Sequence, residues 1–372
     1  MRGCRAAWLS PVAVTLLLAG ACSPYQHLDD SSLQAEELER RVTPEVAAAV
    51  VVPYELDEAV RRELEERLNP AGSERRRTSN ILDFIFGSLD LQYSQTPTRD
   101  AVETYRNREG NCLSFVNLFV AVARLQRLNP FYVEVQDYQR WNYQQGVVVS
   151  RGHIVAGMYV DGELSTFDFL PYQPKSYRDF NPITDLQALA HYYNNLGAEA
   201  LMAGDLEEAD VKLRIAYALA PDFDKAINNL GIVEMRQGEA ARAIELYHRG
   251  LELYADNVPL MTNLARAYQQ EGRIKEAEEV LDLLEESNQA SPFLYVYRGD
   301  RALADGDYET ALSYMRRAFR ADPKLPEVHV GLVRVYLALG DLAKARHHVE
   351  RALKLDATHE EARKYAALLA RR

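Results

Sequence analysis

From Ala190 to His359 one pattern returns every 34 residues, and it restricts the fold more than any other feature of the chain. Glycine recurs at Gly204, Gly238, Gly272, Gly306 and Gly340, and alanine at Ala209, Ala243, Ala277, Ala311 and Ala345. The period holds two helices. The glycine ends the first, a proline or its substitute (Pro221, Pro323) ends the second, and small residues at the crossing let the pair approach closely. Five units follow in unbroken register: 190–223, 224–257, 258–291, 292–325 and 326–359. A unit this small cannot bury its apolar face alone, so neighbours must stack into an all-α solenoid. Residues 360–372 form one further amphipathic helix, with Arg363, Lys364, Arg371 and Arg372 as its polar side, placed to cap the open end.

The period, with Leu196-Gly197, Leu230-Gly231 and Leu264-Ala265 at matching places, resembles tetratricopeptide repeats. The resemblance implies a concave groove, lined by the first helix of each unit, that docks a protein or peptide partner. Its positions here are Asn194, Asn228, Thr262, Arg266, Asp300 and Arg334. They mix both charges and do not form the Lys/Asn/Arg carboxylate clamp of chaperone-binding repeats. A solvated helix face is the competing reading of each.

Before the repeats the pattern changes. Leu56, Val60, Leu64 and Leu68 mark one amphipathic helix, which Asn69-Pro70-Ala71-Gly72 breaks. Ile81, Leu82, Phe84, Ile85 and Leu89 mark a second, and 98–106 a short third. Asn107-Arg108-Glu109-Gly110-Asn111 is a polar turn. Cys112 then opens a helix with Phe115, Leu118, Phe119 and Val122 on its apolar side. A thiol in the first turn of a helix meets unpaired N–H groups and the positive end of the dipole, a setting that favours thiolates. Residues 131–135 read as a strand and 138–145 as an aromatic, polar loop, with Trp141, that borders a cleft.

Residues 151–160 alternate, with His153, Val155, Gly157 and Tyr159 on one face. Asp161-Gly162 is a two-residue hairpin signal, which sets Val160 opposite Glu163 and Val155 opposite Asp168. Asp168 then stands one diagonal step from His153, within reach of an imidazole–carboxylate hydrogen bond. A slip of one residue would separate them.

The residues Arg108-Glu109-Gly110-Asn111-Cys112, the apolar helix to Arg124, the strand carrying His153, and Thr166-Phe167-Asp168-Phe169 resemble the transglutaminase-like superfamily, relatives of papain-type thiol enzymes. The resemblance covers roughly 99–169. It implies an α+β cysteine domain in which Cys112 is the nucleophile, His153 the general base and Asp168 the acid that orients the ring. Singly, each residue also reads as structural: a buried small hydrophobe, a core histidine, a turn aspartate. Zinc would need three or four regularly spaced ligands, and Cys112 has neither a second cysteine nearby nor a histidine pair, so no metal and no cofactor is expected.

The amino terminus reads as a targeting segment. Arg2 and Arg5 precede a mostly apolar run from Ala6 to Leu18, too short for a permanent span. Leu18-Ala19-Gly20-Ala21-Cys22 resembles a bacterial lipobox, with Cys22 as lipid carrier; Ala19-Gly20-Ala21 also fits plain signal cleavage. Ser23 after the cysteine resembles the outer-membrane sorting class. The expected location is the cell envelope, lipid-anchored at the outer membrane and facing the periplasm, or else secretion as a soluble chain. Of three cysteines, Cys4 leaves with the signal and Cys22 is blocked, so Cys112 is left as a lone thiol in an exported chain, a sign of reactivity. A formal charge of −12 argues against nucleic acid.

The sequence thus divides into a signal (1–21), a lipidated cysteine with a polar tether (22–45), an α+β thiol domain (46–180) and a repeat solenoid (184–372), joined by a hinge at Asn181-Pro182-Ile183-Thr184. The array is expected to fold independently of the thiol domain. Two functions compete: a membrane-anchored thiol acyl-transfer enzyme acting on protein or peptide amides, and a non-catalytic scaffold with a retired thiol domain.

Overall fold

A computed structural model of the chain describes residues 38–135, 142–144, 147–149, 153–169, 180–286, 292–357 and 359–370. The first half holds helices α1 (Pro44–Ala49), α2 (Glu58–Arg67) and α3 (Glu74–Leu82), the last running on as a π-helical turn, Asp83–Ser88. Strand β1 (Gln92–Tyr93), α4 (Ala101–Asn107), β2 (Glu109–Gly110) and α5 (Cys112–Leu125) follow. Next come β3 (Pro130–Val135), β4 (Asn142–Gln144), β5 (Val147–Val149), β6 (His153–Val160), β7 (Glu163–Phe167) and β8 (Phe180–Ile183). Asp57, Ser73 and Asp100 start α2, α3 and α4 by accepting a backbone N–H three residues on.

Four strands form an antiparallel sheet in the order β7-β6-β3-β8. Helix α5 packs on β6 and β3, with Val116, Phe119, Val120 and Ala123 in one core with Ile154, Ala156 and Met158. That burial makes α5 a rigid mount: every residue from Leu113 to Ala123 is buried. The turn Asp161-Gly162 has φ +53° and +85° and sets Val160 opposite Glu163, as the two-residue hairpin requires.

The expected hinge is instead strand β8. Pro182 pairs in register with Val133 on the edge of the sheet, where a missing N–H is tolerated, and Ile183 leads directly into a helix. Part of the expected 138–145 loop is also strand, because β4 pairs with β5. This hairpin approaches the inner helices of the second and third repeats.

The repeat helices are α6 (Asp185–Ala203), α7 (Leu206–Leu219), α8 (Asp224–Arg236), α9 (Ala240–Leu253), α10 (Val258–Gln270), α11 (Ile274–Glu286), α12 (Pro292–Ala304), α13 (Tyr308–Ala321), α14 (Pro326–Ala338), α15 (Leu342–Leu355) and α16 (Glu360–Ala370). The α+β region with its antiparallel sheet is thus followed by an all-helical repeat region. Thr184 and Gln187 form a capping box at the start of α6. The five period-34 glycines all take positive φ, from +73° to +89°. After α8, Gly238 N–H donates to Met235 O and Glu239 N–H to Glu234 O, the paired bonds of a Schellman end. The five period-34 alanines are fully buried at the crossings.

The two halves are not independent. A single apolar core joins Tyr54, Phe119, Tyr132 and Ile154 to Leu189 on α6, to Tyr192, Tyr193, Ile215, Leu219 and Phe223 of the first repeat and to Ala226 of the second. Polar contacts cross the same boundary. Val51 N–H donates to the Tyr193 hydroxyl at 2.8 Å, and Lys225 meets Glu134 at 2.7 Å. The tether also ends earlier than the sequence indicates. Leu38 is buried in this core, and the Arg41 guanidinium donates to Leu219 O at 2.7 Å.

Candidate active site

The turn before Cys112 is built by local sterics. Helix α4 ends at Arg108 in the left-handed conformation, φ +55°. The chain then runs as β2, paired in parallel with β1. At Gly110 a Cβ would stand 2.5 Å from Ser114 Cβ, so only glycine lets the strand cross the first turn of α5 this closely. Asn111 is the N-cap: its Oδ1 accepts from Ser114 N–H and from Ser114 Oγ–H, each at 3.0 Å. Cys112 follows as the first residue of α5, a free, half-buried thiol.

His153 opens β6 and Asp168 lies one residue beyond β7, at the same end of the sheet. His153 Nε2 is 3.2 Å from Asp168 Oδ1, and the side chains are 14% and 21% exposed. The Phe-Asp-Phe alternation accounts for the aspartate's aim. Phe167 and Phe169 pack at a tilt against Phe119 with ring centres 4.7 and 5.7 Å away, which turns the residue between them to the other side. The ring of His153 also hydrogen-bonds to Cys112. Burial alone would lower the pKa of His153. The hydrogen bonds to Asp168 and Cys112 and their charges outweigh it, and the imidazole is pushed up to about 9. Thiol, imidazole and carboxylate thus stand in one chain, with Asp168 on Nε2.

The cap of α5 extends further than the sequence shows. Asn111 Nδ2 donates to Thr98 Oγ1 at 2.6 Å, and Thr98 Oγ1 donates to Glu199 Oε1 at 2.7 Å. Thr98 N–H donates to both oxygens of the same carboxylate, at 3.1 and 3.0 Å. Asn111 followed by Ser114 three residues on was a readable cap signal. Thr98 and Glu199 carried none.

The expected groove is partly closed. Asn194 and Asn228 are buried in a ladder between inner helices: Asn229 Nδ2 donates to Asn194 Oδ1 at 2.9 Å, and Asn263 Nδ2 to Asn228 Oδ1 at 2.8 Å. Thr262 is also buried, its hydroxyl donating to Val258 O at 2.7 Å. The two asparagines hold helices together rather than face a partner, because a buried amide needs a protein partner, whereas Thr262 bonds within its own helix and lines a cleft. Arg266 and Asp300 line a cleft of about 330 Å³ between α10 and α12. Arg334 bridges Asp300 and Glu361, each at 2.7 Å, and so ties the fourth and fifth repeats to the end helix. Cys22 and Trp141 lie outside the described residues. Among the described residues no group of three or more His, Cys, Asp or Glu side chains could hold a metal ion.

Comparison with known proteins matches residues 62–169 to the transglutaminase-like superfamily. Residues 234–295 and 302–371 match the tetratricopeptide repeat. Photosystem I assembly protein Ycf3 of Synechococcus sp. (strain CC9605) is 32% identical over 98 residues, which are 26% of this chain and 57% of that protein. The chain thus spans somewhat over half the length of this curated relative. Among solved structures it is similar to a thermophilic repeat protein of Thermus thermophilus, at 21% identity and TM-score 0.44, over 49% of this chain and 99% of that one. A tetratricopeptide repeat protein of Parabacteroides merdae ATCC 43184 is similar at 16% identity and TM-score 0.45, over 50% of this chain and 75% of that one. The chain carries a transglutaminase-like core domain followed by tetratricopeptide repeats.

Proposed function

We propose that this chain is an exported, lipid-anchored thiol acyl-transfer enzyme whose repeats dock a protein or peptide partner. The observation that carries the reading is the chain of contacts from Cys112 through His153 to Asp168. A ring that keeps its proton at neutral pH is both the counter-ion that a thiolate needs and the acid that a leaving amine needs. In the proposed cycle the Cys112 sulfur attacks a peptide or side-chain amide carbonyl. The Cys112 backbone N–H, at the start of α5, donates to the oxygen as it becomes negative. His153 gives its proton to the departing amine, which leaves a thioester on Cys112. Water, or a second amine, then gives a proton to His153 as it attacks the thioester and frees the thiol. Asp168 holds the ring and its charge throughout. Hydrolysis and transamidation share every step but the last nucleophile.

Anchoring rests on Arg2, Arg5, the apolar run after them and Leu18-Ala19-Gly20-Ala21-Cys22. It places the enzyme in the cell envelope, at the outer membrane facing the periplasm. Mass spectrometry of the mature amino terminus tests this, since an unmodified Cys22 thiol means plain secretion. The enzymatic reading is tested by acyl trapping. Given p-nitrophenyl acetate, the peptide containing Cys112 should gain one acetyl group, and His153→Ala should suppress the gain. A Cys112 peptide that never acylates, in wild type and variant alike, leaves the scaffold as the function.

A further inference from the structure

We infer that Glu199, on the first repeat helix, is a positioning residue for Cys112, so that the repeat array forms part of the active site's support. The inference rests on the acyl-transfer reading of Cys112.

The argument is one of hydrogen-bond direction. The Glu199 carboxylate can only accept, so Thr98 must donate to it with its N–H and its hydroxyl. With the Thr98 proton committed, the oxygen of that hydroxyl is left as an acceptor, and Asn111 must present its NH2 group there. The Asn111 oxygen is thereby turned toward the first turn of α5, where it takes Ser114 N–H and Oγ–H. Thr98, Asn111 and Ser114 are 3%, 6% and 0% exposed, so water does not readily substitute for any member. Without Glu199 the Thr98 hydroxyl is free to donate to Asn111 instead. The amide then flips, NH2 faces N–H across the helix start, and the cap is lost. Cys112 sits on that turn, between the cap and the donor it binds, Ser114.

A second contact shows that α6 holds α5 at both ends. Arg124, in the last turn of α5, meets Asp185, the first residue of α6, at 2.8 Å, with side chains 20% and 6% exposed. The helix carrying the thiol is thus fixed at its far end by Asp185 and at its reactive end, through Thr98 and Asn111, by Glu199.

The test is the rate at which iodoacetamide modifies Cys112 in the full chain at pH 7, read by mass spectrometry of the peptide holding Cys112. Glu199→Ala should slow it about tenfold, because a nucleophile displaced from its partner reacts poorly. Glu199→Gln should stay within about twofold of wild type. Its single carbonyl oxygen, at the Oε1 position, accepts both Thr98 donors, so the direction of the chain survives. If Glu199→Ala does not fold, Thr98→Val removes the relay hydroxyl with Glu199 intact and should be equally slow. A wild-type-like rate in the folded alanine variant, or in Thr98→Val, overturns the inference, whatever the melting temperature does. So does equal slowing by Ala and Gln, which would point to the charge instead. A wild-type thiol no faster than free cysteine sinks the enzymatic reading itself, and the positioning role with it.

Discussion

The His153 imidazole is the group on which the site's pH behaviour turns. Its pKa is raised from the ordinary 6.5 to about 9, so folding and proton binding favour each other. The resulting stability is fully present below pH 6.5 and is lost as pH rises through about 9. Asp168→Asn keeps a hydrogen-bond acceptor but removes the charge. The decline in stability between pH 6.5 and 9 should become shallower. Thermal melts across that range check it; an unchanged curve would mean that Asp168 does not govern the ring. The contact between His153 and Asp168 was legible because one turn, Asp161-Gly162, fixed the register of the two strands that bring them together. Thr98 and Glu199 were not legible. They lie 101 residues apart, and no periodicity links a loop threonine to a solenoid glutamate.

At the scale of the element, the inner helices of the array show where pattern reading stops. A period of 34 residues gave the helix pairs and their glycine ends. It also gave Asn194 and Asn228 the right helix face, but not what that face meets. On an inner helix the next repeat's own asparagines, Asn229 and Asn263, compete with any partner for those amides, and they win. Asn228→Ala should therefore act on stability, not on partner binding. It removes the acceptor of Asn263 Nδ2 and a donor to Asn229, inside a site 1% exposed. The cost should be about 1–3 kcal/mol, read as a lowered denaturant midpoint with unchanged slope. The end helix α16 is a second case. It covers Val330 and Ala352 with Ala362 and pairs Glu361 with Arg334. A chain ending at His359 should lose helical signal and solubility. Unchanged circular dichroism in that chain would deny α16 its capping role.

The whole molecule departs most from what the repeats alone imply. A solenoid whose units touch only neighbours should detach, but here the first repeat completes the core of the thiol domain. A fragment beginning at Thr184 would expose Tyr192, Tyr193, Ile215 and Phe223 and strand buried charges, so it should be far less stable than the full chain. The boundary also has its own pH sensitivity. His191, on α6, is 3% exposed and packs at a tilt against Phe223, with Glu134 at 3.9 Å and Lys225 beyond. Burial is the main cause that lowers His191 to about 4, and Lys225 adds to it against the pull of Glu134 and Asp224. Glu134 is itself lowered: burial would raise it, but Lys225 and His191 prevail. Both groups then bind protons more readily when unfolded, so both lend stability that disappears as the medium turns acid. For His191 the window runs from about pH 6.5 down to about 4, and at pH 5 the loss is on the order of 2 kcal/mol. His191→Phe keeps a ring against Phe223 and cannot titrate. Melting the full chain and this variant at about pH 7.5 and pH 5 should show a drop in the first that is clearly smaller in the second. Equal drops would move the acid sensitivity elsewhere, to the His329–His348 pair at the far end of the array, whose rings meet at 3.0 Å and are likewise lowered. A variant at His348 would then carry the slope, and the boundary between thiol domain and repeats would stay closed through the acid range.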